Sequence, residues 1–360
     1  MSLPRYQGRG RGSAGGDRRK KKSPPQGAGQ IRVEMEDQSA ATRKRHLPVL
    51  RDVCVDLLAP ALQDPGSVFV DGTLGMGGHT EAVLEALPNV TVVGIDRDPQ
   101  ALDLAQQRLS SFGDRFIPFH GEYDQIKEVA KLYGRGGKVD AILLDLGVSS
   151  LQLDDPSRGF SYSREADLDM RMDQSHGATA AEILSEASAS ELARILRDYG
   201  EERFAPRIAA AIVQARQDEP LRTTTQLSDL VKNSIPAAAR RKGGNPSKRT
   251  FQALRIAVND ELTILEDTLP AALESLRLGG RLVVESYHSL EDRMVKKVFQ
   301  SGLSDTAPPG LPVVPESDRP RLRALVKGAV QADEEEITQN PRSKSVRLRA
   351  VELIAPWSRR

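Results

Sequence analysis

The chain has 360 residues, 39% apolar and 28% charged, with a formal net charge of +1. That length allows one large domain with an insertion, or two domains, and no apolar run approaches the ~20 residues that a membrane-spanning helix needs. The single cysteine, Cys54, excludes an internal disulfide; a reducing cytoplasm suits it, and a buried packing thiol is its plain reading.

The charge is uneven. Residues 1–45 hold twelve Lys/Arg and four Asp/Glu, whereas the other 315 residues hold 39 and 46. Nucleic-acid contact must therefore come from the tail or from local patches. The tail carries Gly8-Arg9-Gly10-Arg11-Gly12, Arg18 to Lys22 and Ser23-Pro24-Pro25, with too little apolar surface to offset the cost of ordering it. It reads as a disordered basic tail without a secretory signal, either an RNA-binding arm or a solvated extension with Met35 as the true start.

A helix-like stretch from His46 to Leu62 comes next. Ser67 to Val70 then reads as a strand, Asp71 to Gly78 as a Gly-rich loop, and His79 to Leu87 as a helix. A second strand, Val90 to Ile95, ends at Asp96, and a helix follows over Pro99–Leu109 with Pro in its first turn. Phe116 to Phe119 is a third strand candidate. Val139 to Leu144 is a fourth, nearly all apolar, as a strand buried on both faces should be. Strands alternating with helices predict an α/β fold with a parallel, doubly wound sheet.

The rhythm changes over residues 152–250. Ser188 and Glu191 have capping-box spacing, and Leu192, Ile195, Leu196 and Tyr199 follow at helical periodicity, as do Leu227, Leu230 and Val231. This predicts a helical domain inserted between 46–151 and 251–360. Phe251, Leu254, Val258, Leu262, Leu265 and Leu269 suggest one long helix stopped at Gly279-Gly280, then a strand over Arg281–Val284 and a last one within Ser345–Ile354.

Glycines in the first loop allow a tight turn and close approach of a ligand to the main chain. A dinucleotide site prefers G-x-G-x-x-G, but Thr80 stands where the third Gly would be. An acidic strand end suits a cationic sulfonium and an amino-acid moiety better than a diphosphate, so methyltransferase is favoured over dehydrogenase. Asp96, 19 residues after Gly77, can accept two hydrogen bonds from a ribose diol. Asp145 closes the fourth strand, at the crevice of an open α/β sheet, or is a turn-initiating cap. His79 is a site residue or simply starts a helix. Asp103, Asp114 and Asp140 read as solvated or turn residues. No Cys/His spacing suggests zinc, and nothing requires a metal.

Longer motifs then become specific: DGTLGMGGH over 71–79, GIDRDP over 94–99, LLDLGVSS over 143–150, LDMRMD over 168–173, YGEERFAPRI over 199–208, RTFQALRI over 249–256 and HSLEDR over 288–293. In this order, over about residues 46–350, they resemble the ribosomal RNA small-subunit methyltransferase H family, cytosine-N4 methyltransferases of 16S rRNA. The resemblance implies a class I S-adenosylmethionine methyltransferase fold with a helical insert. It implies cofactor contacts at Gly77, Gly78, His79, Asp96, Tyr123, Asp145 and Gln152. Tyr123 stands where relatives often carry Phe and keeps a face for stacking. Glu285 stands where a small or apolar residue is expected.

The D/N-P-P-Y/W loop of DNA amino-methyltransferases is absent. Asp145 takes its place, orienting the cofactor or accepting the amine hydrogen bond, with Ser149 and Ser150 lining the base pocket. Arg249 and His288 are the candidate contacts to substrate RNA, with His288 alternatively a core histidine. Arg203, Arg207 and the run Arg240-Arg241-Lys242 to Lys248-Arg249 make the insert the RNA platform. The expected partner is 16S rRNA within the small ribosomal subunit, with no membrane contact, and a homodimer is allowed. A small-molecule methyltransferase and a non-enzymatic ribosome assembly factor remain the rival readings.

Overall fold

A computed structural model describes residues 48–237, 245–307, 313 and 315–357. The basic tail and residues 240–242 of the basic run lie outside them. Leu47–Arg360 forms one compact unit.

Seven strands make one sheet in the order β3-β2-β1-β4-β5-β7-β6. They are β1 (Val68–Asp71), β2 (Thr91–Asp96), β3 (Phe116–His120), β4 (Val139–Asp145), β5 (Leu276–Ser286), β6 (Leu322–Ala324) and β7 (Arg347–Leu353). The first five run parallel, whereas β7 is antiparallel to both β5 and β6. The predicted α/β, doubly wound sheet is what folds.

Side-chain alternation explains the two layers. Val68, Val70, Ile142, Leu144, Leu282 and Val284 point to one core, while Phe69, Ala141, Leu143 and Val283 point to the other. The first face is covered by α4 (Ile126–Tyr133), α11 (Glu261–Ser275) and α12 (Ser289–Leu303). The second is covered by α1 (Arg51–Leu58), α2 (Gly78–Ala86) and α3 (Pro99–Leu109). Because both faces are buried, β4 is apolar nearly throughout; its six residues Val139–Leu144 are all inaccessible.

Among the described residues, no strand lies between β4 and β5. That stretch holds α5 (Ser150–Asp154), α6 (Ala180–Glu186), α7 (Ala189–Asp198), α8 (Ala205–Asp218), α9 (Thr224–Ser234) and α10 (Lys248–Asn259). Leu184, Leu192, Leu196, Ile208, Ile212, Leu227, Val231 and Leu254 from these helices share a third core. Ser188 does cap α7 with Glu191, as its spacing predicts, and Thr179–Glu182 and Thr223–Gln226 repeat the device at α6 and α9.

Three expectations are corrected. The apolar run from Phe251 to Leu269 is two helices, because Asp260 adopts φ +50° and breaks it. The Gly279-Gly280 pair does not stop a helix: α11 ends at Ser275, and the glycines lie within β5 beside its register shift against β4. Asp140 is neither solvated nor in a turn. It is fully buried, accepts from Val68 N at 2.7 Å and from Arg135 at 2.6 Å, and also pairs with Arg277. A carboxylate among Val139, Ala141 and Ile142 needs such partners, since an unpaired buried charge costs several kcal/mol or about that.

Candidate active site

The crevice lies where the connections from β1 and β4 diverge, at the C-terminal ends of the parallel strands. Four of the five parallel strands deliver an acid there: Asp71 from β1, Asp96 from β2, Asp145 from β4 and Glu285 from β5. The fold thus gathers four carboxylates that the sequence scatters over more than 200 positions.

The Gly-rich loop crosses this edge. Leu74 N donates to Ile95 O, and Gly75 N donates to Asp96 Oδ2 at 2.7 Å. Gly77 sits at φ +75° as the N-terminal cap of α2, a left-handed conformation that suits glycine. At Gly78 a Cβ would come 2.5 Å from Pro48 Cγ, so the chain there has no room for a side chain. The loop is held against β2 by backbone, and its free face is left to a ligand.

Asp96 is half-buried, and its Oδ1 also accepts from Asp98 N at 2.9 Å. Burial raises its pKa to about 6, against the lowering effect of these two N–H donors. Asp98 turns away from the loop. It caps α3 through Gln100 N, receives Gln152 Nε2 at 3.0 Å and pairs with the buried Arg158 at 2.8 Å. Gln152 is itself buried, and its Oε1 accepts from Ser149 N in the capping box of α5. Its amide is therefore used at both ends, and Gln152 supports Asp96 from behind through Asp98.

Asp145 is reached from three sides. Its N donates to Thr73 Oγ1 at 2.6 Å, Tyr287 OH donates to its Oδ1 at 2.8 Å, and His79 Nε2 stands 3.7 Å from its Oδ2. His79 is buried; desolvation pulls its pKa down, but Asp145 and Glu285 raise it to about 10. Tyr123 packs beside Gly72 and donates to Glu261 O at 3.4 Å. Ser149 faces Gly75 across the crevice, and Ser150 opens α5 half-buried. Contacts thus join His79 to Asp145, Gly75 to Asp96 and Ser149, and Tyr123 to Gly72 at this edge of the sheet; Gly77 and Gly78 continue the same loop, and Gln152 is one residue removed, behind Asp98.

The two RNA candidates lie to one side. Arg249, exposed on α10, donates to Glu201 O at 3.2 Å, and Glu201 binds Ser289 and Arg293. His288 caps α12, and its Nε2 stands 3.0 Å from Glu291 Oε1 outside hydrogen-bond geometry. Arg249 and His288 are therefore joined through Glu201 and Ser289. Thr73, Asp98 and Tyr287 were missed by residue-level reading: each acts by positioning an acid, which no local spacing reveals.

The donor set fits S-adenosylmethionine. Carboxylates at the strand ends suit a ribose diol and cationic groups, and among the described residues no Lys or Arg ion pair is formed by Asp71, Asp96, Asp145 or Glu285. A diphosphate would meet four carboxylates there, which disfavours the dehydrogenase alternative.

The model of the MraW methylase family matches residues 43–354. Ribosomal RNA small subunit methyltransferase H of Beutenbergia cavernae is 59% identical over 309 residues, 86% of this chain and 92% of that protein. The protein of the same name from Kocuria rhizophila is 55% identical over 317 residues, 88% of this chain and 97% of that one. Among solved structures, an rRNA methylase from Streptococcus thermophilus aligns over 84% of this chain and 95% of its own, at 14% identity and a TM-score of 0.38. A likeness that low carries no functional argument. The sequence relatives and the family model bear out the resemblance read from the motifs: the chain belongs to the MraW methylase family, and it is an S-adenosylmethionine-dependent methyltransferase of class I fold.

Proposed function

We propose that this enzyme methylates N4 of one cytidine in the decoding centre of 16S rRNA, acting on the small ribosomal subunit in the cytoplasm. The carrying observation is identity above 50%, over nearly the whole of each relative, to proteins named for methylation of small-subunit ribosomal RNA. The cytidine amine itself rests on the motif resemblance and on the chemistry of Asp145.

An exocyclic amine is a weak nucleophile, because its lone pair is delocalised into the ring. Bound S-adenosylmethionine supplies an electrophilic methyl; the protein must place the amine in line and accept a hydrogen bond from it. Asp145 is the acceptor in this reading, fixed by Thr73 and Tyr287. Ser149 and Ser150 border the base, which must leave its stack to reach the crevice. Asp96 takes the ribose diol, Tyr123 the adenine face, and Gly77, Gly78 and His79 the amino-acid end, with Gln152 steadying them. The helices of 152–250 form the RNA-recognition insert between the two halves, 46–151 and 251–360, of the catalytic domain, with Arg249 and His288 at its border.

Labelled S-adenosylmethionine and small subunits from cells lacking the enzyme test this. Digestion and mass spectrometry should find N4-methylcytidine at one decoding-centre position. Label in another nucleoside, or in a small molecule after nuclease treatment, refutes the assignment of substrate.

A further inference from the structure

We propose that Cys54, His79 and Glu285 form a binding site for a divalent transition metal ion, zinc by preference, beneath the Gly-rich loop. In sequence these residues lie far apart, with no metal-binding spacing. The fold brings Cys54 of α1, His79 of α2 and Glu285 of β5 together, each offering one donor atom within 4.8 Å of the others.

Three observations point to a missing cation. First, Asp145 and Glu285 are register partners on adjacent parallel strands, so like charges share one face of the sheet. Glu285 is fully buried, so no solvent screens it from Asp145. Second, its partners do not satisfy it. Cys54 Sγ–H donates a long bond to Oε1 at 3.6 Å, whereas Oε2 has no hydrogen bond, and neither ring nitrogen of the buried His79 has one. Buried polar atoms are rarely left so. Third, the spacing suits a coordination sphere. His79 Nε2 is 3.5 Å from Glu285 Oε2 and 3.7 Å from Asp145 Oδ2. These separations are too long for hydrogen bonds, yet match the edges, about 3.3–3.7 Å, of a tetrahedron with bonds of about 2.0–2.3 Å.

A mixed sulfur, nitrogen and carboxylate set favours zinc over magnesium or calcium, which take oxygen ligands. Binding needs a thiolate at Cys54, a neutral imidazole at His79 and a carboxylate at Glu285, so the Cys54 S–H proton and any proton on His79 Nε2 or Glu285 go to solvent as the metal takes their places. Asp145 Oδ2, 3.7 Å from His79 Nε2, lies beside this set, so the ion's charge would act on the acid of the crevice. None of this depends on which nucleoside is methylated.

The test uses the full-length protein, first analysed for metal as purified, then stripped with a chelator and titrated with Co(II). One equivalent should bind and give a thiolate-to-cobalt charge-transfer band with tetrahedral d–d absorption. Cys54→Ser should abolish the charge-transfer band, and Glu285→Gln should weaken Co(II) binding at least about tenfold. An unchanged far-UV circular dichroism spectrum and a cooperative unfolding transition in both variants show that the fold survives. Wild-type protein that binds S-adenosylmethionine but holds no metal and gives no band overturns the proposal, leaving protons as the cluster's counter-charge. A band that persists in Cys54→Ser also overturns it.

Discussion

Asp145 shows how a side chain acquires a role from its surroundings. At the end of β4 it is 27% exposed, open to a substrate from one side and gripped by Thr73 and Tyr287 on the others. Asp145→Ala should reduce single-turnover methyl transfer by at least about a hundredfold. Cofactor affinity, measured by calorimetry, separates its two possible duties: an unchanged Kd assigns it to the amine, and a large rise assigns it to the cofactor. Asp96 gives a pH prediction. Its carboxyl, raised to about 6, is neutral below that value and then loses acceptor capacity for a ribose diol. Cofactor affinity should therefore fall as pH drops, by about tenfold for each unit below 6. The same shift has the opposite sign for folding. The folded state holds its proton between pH 3.8 and about 6, so this group's contribution to stability declines as pH rises through that window. Asp96→Asn should bind the cofactor weakly and without pH dependence between about pH 5 and 7; a persistent slope would assign the titration to another group. Both acids were legible in the sequence, because each ends an apolar strand. Tyr287 and Thr73 were not, since their importance is a contact across about 140 and 70 positions.

Between elements, the joint that matters is the buried pair Arg158–Asp98. Arg158 follows α5 and also donates to Met172 O at 2.5 Å, while Asn259 at the end of α10 clasps both Met170 and Met172. Arg97, next to Asp96, donates to Asn259 O. A chain of polar contacts thus links the helices of 152–250 to the loop beneath Asp96. Removing Arg158 leaves the Asp98 carboxylate, at 2% exposure, with neutral donors only. Arg158→Ala should cost about 3–5 kcal/mol in denaturant unfolding. It should also raise the Kd for S-adenosylmethionine, because Asp98, whose N–H holds Asp96, would lose its charged anchor. Loss of stability without loss of cofactor affinity would show that the joint carries load but does not set the site. The motif LDMRMD signals that something is special here. Its reason, a buried methionine at φ +62° held by an asparagine 89 residues away, is tertiary.

For the whole molecule, charge is the informative quantity. The body beyond residue 45 carries seven more acidic than basic residues, and the basic excess is in the first 45. Deleting residues 1–45 should leave the cofactor Kd unchanged, weaken binding to small subunits and flatten its dependence on salt, since each lost phosphate contact removes about 0.7–0.9 from the log–log slope. An unchanged slope would make the tail a solvated extension and place RNA binding on the helices. Among the described residues no helix is long and apolar enough to cross a membrane.

Fold class and cofactor class were determined by the sequence alone. Buried parallel strands must be apolar, turns around a ligand must be glycine, and acids at strand ends have nowhere to go but the crevice. Those are local demands, and local residues record them. What only the tertiary structure decided is which distant groups complete the site: that Asp140 is a buried anchor, that Gln152 and Arg158 steady Asp96 through Asp98, and that Cys54, His79 and Glu285 bring their donor atoms together. Their partners are set by strand register and by which helix covers which face, and these are properties of packing that no window of sequence contains.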